Sequence, residues 1–110
     1  MVKKDIEFRW KEVEKICVDR FGEKLDATSL LFIIGLQELA KPPQLFSKDQ
    51  KLDIIHIALC KVLEPFGYYT YKGLDEEGWP HWERTKKLPF LNPEEQEILI
   101  KEAIADYMQI

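Results

Sequence analysis

The sequence predicts an all-α fold, in which four helices form an orthogonal array or bundle and a long aromatic-rich insert separates the third and fourth helices. Two observations predict it. Apolar residues recur every three or four positions in several segments, and capping residues or Gly and Pro flank those segments. At 110 residues the chain has the usual size of one domain, so we expect residues 1–110 to form a single helical domain. The predicted helices span about residues 4–21, 27–41, 48–64 and 93–109, and the insert spans residues 65–92.

The first helix carries one apolar stripe at helical spacing. The stripe consists of Ile6, Trp10, Val13, Cys17 and Phe21. Gly22 follows it and is the residue type that most often ends a helix. Phe8 falls on the opposite, charged side. The pattern therefore predicts that Phe8 is either exposed or in contact with a second partner.

The second helix is expected to begin after Asp26, which can cap its first free amides. Residues 30–36 are almost continuously apolar, and periodicity alone does not distinguish such a run from a buried strand. Residues 37–40 continue in strong helix formers without a turn signal, which favours a helix. Pro42 and Pro43 should end it, because proline restricts the preceding residue to extended backbone.

The third helix has the clearest start signal, because Ser47 and Gln50 have the spacing of a capping box. Pro65 should end it. On a helical wheel one face collects Leu52, Ile55, Leu59, Val62, Leu63 and Phe66. Ile54 and Ile57 point away from that face. A helix that is apolar around most of its circumference is expected to be central in the fold.

The fourth helix begins with Asn92 as its cap, Pro93 in the first turn and Glu95 three residues after the cap. Its apolar stripe consists of Leu99, Ile100, Ala103, Ile104, Tyr107 and Met108. Ile98 falls on the opposite, charged side, and Ile110 is an apolar residue suited to contact with another surface. A four-helix core does not need these two apolar residues, so their presence favours a homodimer in which they would be covered.

The insert, residues 65–92, holds seven of the chain's thirteen aromatic residues. They are Phe66, Tyr68, Tyr69, Tyr71, Trp79, Trp82 and Phe90. A connection this long is unusual in a compact domain unless it has a function or its own secondary structure. Residues 68–72 have strand composition, and residues 79–85 can return beside them as a short hairpin, with Pro80 on an outer edge. An irregular lid is the alternative.

Two interpretations of the insert remain open. Tyr and Trp combine a large apolar face with one polar group, which suits a binding surface. The predicted site residues are Tyr69, Tyr71, Trp79, His81 and Trp82. In this interpretation the protein is a small non-enzymatic module for protein interaction or ligand binding. The other interpretation is structural, with the rings folded back as a lid over the open end of the helical core.

A second hypothesis places a metal site or a small enzyme on the third helix. Asp53, His56, Cys60 and Glu64 occupy adjacent positions there, and His56 and Cys60 are four residues apart, so both can reach one metal ion. His81 would approach from the insert. The same residues also fit a hydrogen-bonded histidine beside a buried thiol. The ligand types are mixed and no partner motif occurs elsewhere, so we expect no resident metal or cofactor.

Charge and motif content argue against several classes of function. The net charge is −4, and the whole acidic excess lies in residues 93–110. Phosphate binding relies on clustered Lys and Arg, so we expect a partner protein or a second copy, and no nucleic acid. The five glycines fit no phosphate-binding motif. No apolar run is long enough to cross a bilayer and the two cysteines form no CxxC pattern, so the sequence predicts a cytoplasmic protein.

Overall fold

The structure confirms the predicted fold class. The computed structural model describes residues 5–42, 44–86 and 90–110. Within these residues the elements are α1 (Ile6–Phe21), α2 (Ala27–Leu39), α3 (Lys48–Leu63), β1 (Tyr69–Leu74), β2 (Pro80–Arg84) and α4 (Pro93–Tyr107). The insert contains an antiparallel hairpin, as its composition predicted. Lys4 and residues 87–89, which fall within the predicted segments, lie outside the described residues, and so does Pro43, which was predicted to help end the second helix.

The predicted capping residues begin three of the helices. The side chain of Asp26 accepts a hydrogen bond of 2.8 Å from an amide in the first turn of α2. Ser47 with Gln50 before α3, and Asn92 with Glu95 before α4, each form a complete capping box with reciprocal bonds between side chain and backbone. These contacts satisfy amides that a helix leaves without partners, and one such cap contributes about 1 kcal/mol.

The first helix ends at Phe21 as predicted, whereas α2, α3 and α4 end one or two residues earlier than the sequence patterns predicted. In α2 the left-handed residue is Ala40, at φ 54°, so the helix ends at Leu39 and not at position 41. A short 3-10 helix, Glu64–Phe66, follows α3 because Pro65 disfavours a further α-helical turn. The last α-helical residue of α4 is Tyr107, two positions before the predicted end.

The central position predicted for α3 is confirmed, but its predicted buried face is only partly right. This helix contacts α2, α4 and both strands. Val62 and Leu63 are buried as expected, whereas Leu52 is 59% exposed. Ile54 and Ile57, which point away from that face, are also buried, as expected for a central helix that is apolar around most of its circumference. They form a second apolar cluster with Leu39 of α2, because neighbours pack on more than one side of α3.

The main core lies where the four helices meet. Its buried residues include Val13 and Cys17 of α1, Leu30 and Ile34 of α2, Val62 of α3, and Ala103 and Ile104 of α4. Full burial of one such aliphatic side chain contributes about 2 kcal/mol. Phe21, which the stripe of the first helix placed inside, is the last residue of α1 and is 48% exposed.

Arg9 is buried, which the helical pattern did not predict. Its guanidinium donates hydrogen bonds of 2.9 and 3.1 Å to the carbonyl oxygen of Ile110, and it pairs with Asp106 of α4. Ile110 also packs against the main core. This residue therefore contacts its own chain, where the sequence had favoured another surface.

The hairpin pairs Tyr69 with Arg84, Tyr71 with Trp82 and Leu74 with Pro80, with a bulge between Tyr71 and Gly73. The tertiary placement brings both strands against α3. In the part of the chain that the structure describes, no helix is long and apolar enough to cross a membrane.

Candidate functional site

A cleft of about 440 Å³ lies between α3 and the hairpin, and we call it the α3–hairpin cleft. From α3 it is lined by Gln50, Asp53, His56 and Ile57. From the hairpin it is lined by Asp75, Glu77, Trp79, Pro80, His81 and Trp82. The volume falls in the range of roughly 300–1,000 Å³ that is typical of ligand sites.

The turn of the hairpin is organised by the carboxylate of Asp75. Its Oδ1 accepts hydrogen bonds of 2.9 Å from the backbone amides of Glu77 and Trp79. Its Oδ2 lies 2.8 Å from Nε2 of His81, which donates because an ionised carboxylate only accepts. Gly78 has φ 84°, a conformation that glycine adopts without strain. The side chain of Asp75 therefore determines where Trp79 and His81 lie.

The same contacts lower the pKa of the Asp75 carboxyl. The largest cause is the hydrogen bond from the His81 side chain, followed by the bond from the Trp79 amide. Both favour the ionised carboxylate. Asp75 therefore carries a negative charge at neutral pH, and its carboxylate accepts the hydrogen bonds that hold the turn.

The five predicted site residues divide into two groups. Trp79, His81 and Trp82 line the α3–hairpin cleft. Tyr69 instead packs edge-on against the ring of His56, with ring centroids 6.1 Å apart. Tyr71 stacks at a tilt on Trp82, with centroids 5.1 Å apart, and lies in an adjoining groove of about 220 Å³. Both tyrosines therefore support cleft residues from behind.

The two interpretations of the insert both have structural support. Trp79 packs on the second apolar cluster and meets Phe46 edge-on at 6.4 Å, so its ring covers part of the core. The same ring lines the cleft. Trp82 is also half-buried, and its Nε1 is enclosed without a hydrogen-bond partner among the described residues. The aromatic rings thus form both a lid over the core and one wall of a cavity.

The predicted cluster on α3 is split between the cleft and the interior. Asp53 and His56 line the cleft, whereas Cys60 is fully buried. The Cys60 Sγ lies 3.4 Å from Nε2 of His56, and burial raises the pKa of this thiol to about 11. Glu64 pairs with Lys61 at 3.8 Å. Residues 5–42, 44–86 and 90–110 contain no group of three or more His, Cys, Asp or Glu side chains that could hold a metal ion.

Among the described residues, the α3–hairpin cleft is lined by three carboxylates and by no Lys or Arg. Asp75 is bonded to His81, while the carboxylates of Asp53 and Glu77 have no ion-pair partner within the described parts of the chain. Lys41 lies near the hairpin turn, where its Nζ donates a hydrogen bond of 2.6 Å to the carbonyl oxygen of Glu77.

The chain matches no known family model, no curated protein and no solved structure. The cleft's own charge and shape are therefore the guide to its chemistry.

Three polar residues of the lining, Gln50, Asp75 and Glu77, were not predicted as site residues. Gln50 was explained by its role in the capping box, and it serves both purposes. Asp75 and Glu77 belong to an acidic run whose spacing does not fit a calcium loop. A local signal for Asp75 does exist, because Asp followed three residues later by Gly78 is typical of a tight turn.

Proposed function

We propose that the protein is a small non-enzymatic interaction module that binds a segment of a partner protein in the α3–hairpin cleft. The observation that carries this proposal is the composition of the cleft wall. Three of the five residues that the sequence singled out, Trp79, His81 and Trp82, line one cavity together with polar residues of α3. An apolar wall with a few convergent polar groups is the usual character of a binding site.

The rigidity of the wall also supports binding. Trp79 is held by Phe46 and by the apolar cluster beneath it, and Trp82 is held by Tyr71. The Asp75 side chain holds the turn between β1 and β2, in which Trp79 lies. Side chains that are already ordered lose little entropy when a partner binds, so more of the contact energy contributes to affinity.

Selection of short random peptides displayed on phage tests this proposal. The selection is run on the wild-type protein, and enriched peptides are then measured on two variants of α3. Asp53→Trp fills the cleft, while Asp49→Trp places the same ring one turn earlier on an exposed position that does not line it. We expect enriched peptides to bind the wild type and Asp49→Trp and to lose binding to Asp53→Trp. Circular dichroism checks that both variants are folded.

Two results would contradict the proposal. One is the absence of any enriched peptide, and the other is equal binding by Asp53→Trp and Asp49→Trp. Equal binding would place the peptide on a different surface.

Self-association is a further form of this proposal. Ile98 is 39% exposed and lines a groove between α1 and α4 together with Ile6 and Trp10. Ile110 no longer supports it, because it packs on the main core. Sedimentation equilibrium over a range of concentrations, with Ile98→Lys as the variant, tests for a dimer. A monomer at every concentration would remove the homodimer from the proposal.

A metal or enzyme site centred on His56 and Cys60, with His81 approaching, is the alternative. Its support is that His56 and His81 line the same cleft. A buried thiol whose pKa is raised to about 11 is a poor source of the thiolate that binds metals. Elemental analysis of the purified protein tests the alternative, and stoichiometric zinc that is lost in His56→Ala would support it over the interaction module.

A further inference from the structure

The α3–hairpin cleft combines an apolar wall with two carboxylates, Asp53 and Glu77, that have no ion-pair partner among the described residues. We propose that it binds an ammonium or guanidinium group carried on an apolar stem, as in a Lys or Arg side chain of the partner segment. This inference rests on the proposed function and names the chemistry that the cleft recognises.

The charge of the lining selects the sign of the ligand. Asp53 on α3 and Glu77 on the hairpin turn stand on the two sides of the cleft, and neither has an ion-pair partner among the described residues. The Lys41 ammonium nearby bonds to a backbone carbonyl oxygen and not to a carboxylate in the cleft. An anionic group entering the cleft would meet carboxylates from both walls. A cationic group would gain opposite charges from both.

The apolar part of the cleft wall favours a ligand whose cationic group is carried on an apolar stem. Ile57 forms part of the lining from α3, and Trp79, Pro80 and Trp82 form it from the hairpin. Lys and Arg side chains bury their methylene stems along apolar surfaces while the charged end meets polar groups. Aromatic rings add a further attraction, because a cation within about 6 Å of a ring face interacts with its quadrupole. A bare metal ion would use the carboxylates but none of this wall.

The probes are labelled peptides of one neutral Gly-Ser sequence that carry three Lys, three Arg or three citrullines. Citrulline has the shape of Arg without its charge, so it isolates the contribution of the cation. Fluorescence anisotropy measures binding, and amide chemical-shift changes in NMR spectra locate it. We expect the Lys and Arg peptides to bind about tenfold or more tightly than the citrulline peptide and to shift amides of residues 50–57 and 75–82.

Two double variants with the same net charge test the role of the cleft. Asp53→Asn with Glu77→Gln removes the charges that line it, and we expect affinity for the Arg peptide to fall about tenfold. Asp49→Asn with Glu76→Gln removes neighbouring charges that do not line it, and the affinity should change less than about twofold. Equal losses in the two double variants would overturn the proposal, because they would show a response to net charge alone.

Spermidine and ethylguanidine are titrated into the protein while the shifts of the same amides are followed. Their affinities show whether the cationic group comes from a partner side chain or from a free small molecule. Tighter binding of the peptides identifies a side chain of a partner, and tighter binding of a free amine identifies a small-molecule ligand of the same chemistry. Equal binding of the citrulline and Arg peptides would overturn the inference about charge. The proposed function would still hold after that result if peptides selected from the random library bind the wild type and lose binding to Asp53→Trp.

Discussion

Gly35 of α2 lies directly against the backbone of Ile54 in α3. A Cβ added at Gly35 would be 2.1 Å from the Ile54 carbonyl oxygen and 2.6 Å from its Cγ2. These distances are far below van der Waals contact, and the carbonyl oxygen belongs to the helix backbone and has little freedom to move away. The absence of a side chain at position 35 therefore permits the close approach of α2 to α3, on which the second apolar cluster depends.

Gly35→Ala is expected to destabilise the protein. In an exposed helix this change would stabilise by about 1 kcal/mol, because Ala has the higher helix propensity. Here the clash with Ile54 should reverse the sign and lower the free energy of unfolding by about 2 kcal/mol. Urea denaturation measures it. Gln37→Ala, at an exposed position of the same helix, is the control and should change the free energy by less than about 0.5 kcal/mol.

The contact between Tyr107 and Glu38 predicts an alkaline transition. The Tyr107 hydroxyl donates a hydrogen bond of 2.8 Å to Oε2 of Glu38. Burial is the larger cause and this hydrogen bond the next one, and they raise the pKa of Tyr107 to about 12. A folded-state pKa above the unfolded value near 10 means that the contribution to stability is complete below pH 10 and is lost as the pH rises through 12.

Tyr107→Phe should therefore lower the free energy of unfolding at neutral pH by about 1 kcal/mol and weaken its decline between pH 10 and 12. Denaturation at a series of pH values measures both effects. Tyr71→Phe removes the hydroxyl of an exposed ring for comparison. An alkaline decline that is identical in Tyr107→Phe and the wild type would show that another group causes it.

The turn of the hairpin should depend on the ionised side chain of Asp75. Asp75→Ala removes the acceptor for the amides of Glu77 and Trp79, so we expect faster hydrogen exchange at both amides. The pKa of Asp75 is lowered in the folded state, so its contribution to stability is present above the ordinary pKa of 3.8 and is lost as the pH falls through the lower folded-state pKa. Glu76→Ala, in the same turn, should leave the exchange of both amides unchanged.

Both cysteines should be unreactive in the folded protein. Cys17 and Cys60 are completely buried, and burial raises the pKa of the Cys60 thiol from its ordinary value of 9.0 to about 11. At pH 8 this shift lowers the thiolate fraction of Cys60 about a hundredfold, in addition to blocking access. Reaction with a disulfide reagent, followed by absorbance, should be negligible until denaturant is added. Thr28→Cys at an exposed position should react at once, and rapid reaction of the wild type would show that the interior opens.

Several features of the fold follow from local sequence. The capping boxes at Ser47 and Asn92 depend on residues three positions apart, so their spacing alone predicted where α3 and α4 begin. The hairpin was one of the two forms predicted for the insert, because two segments of strand composition flank a turn-forming segment there, and the structure shows this form. Trp79, His81 and Trp82 were recognised by composition within that segment.

Other features required contacts between distant segments. Helical periodicity placed Leu52 on a buried face, whereas this residue is 59% exposed. It placed Ile54 off that face, and Ile54 is buried because α2 packs on another side of α3. The burial of Arg9 was not predicted, because the residues that bond to its guanidinium lie about a hundred positions away in the chain. No local pattern contains that information.

The α3–hairpin cleft shows the same division. The residue types that suit a binding surface are visible in the sequence of the insert. Their meeting with Asp53 and His56 depends on where the hairpin packs on α3, and so does the exclusion of Cys60 from the cavity. Backbone hydrogen bonds and caps act over a few residues and can be read from the chain in order. Burial and cavity shape arise from the packing of segments that are far apart in sequence, so only the tertiary structure decides which side chains share a site.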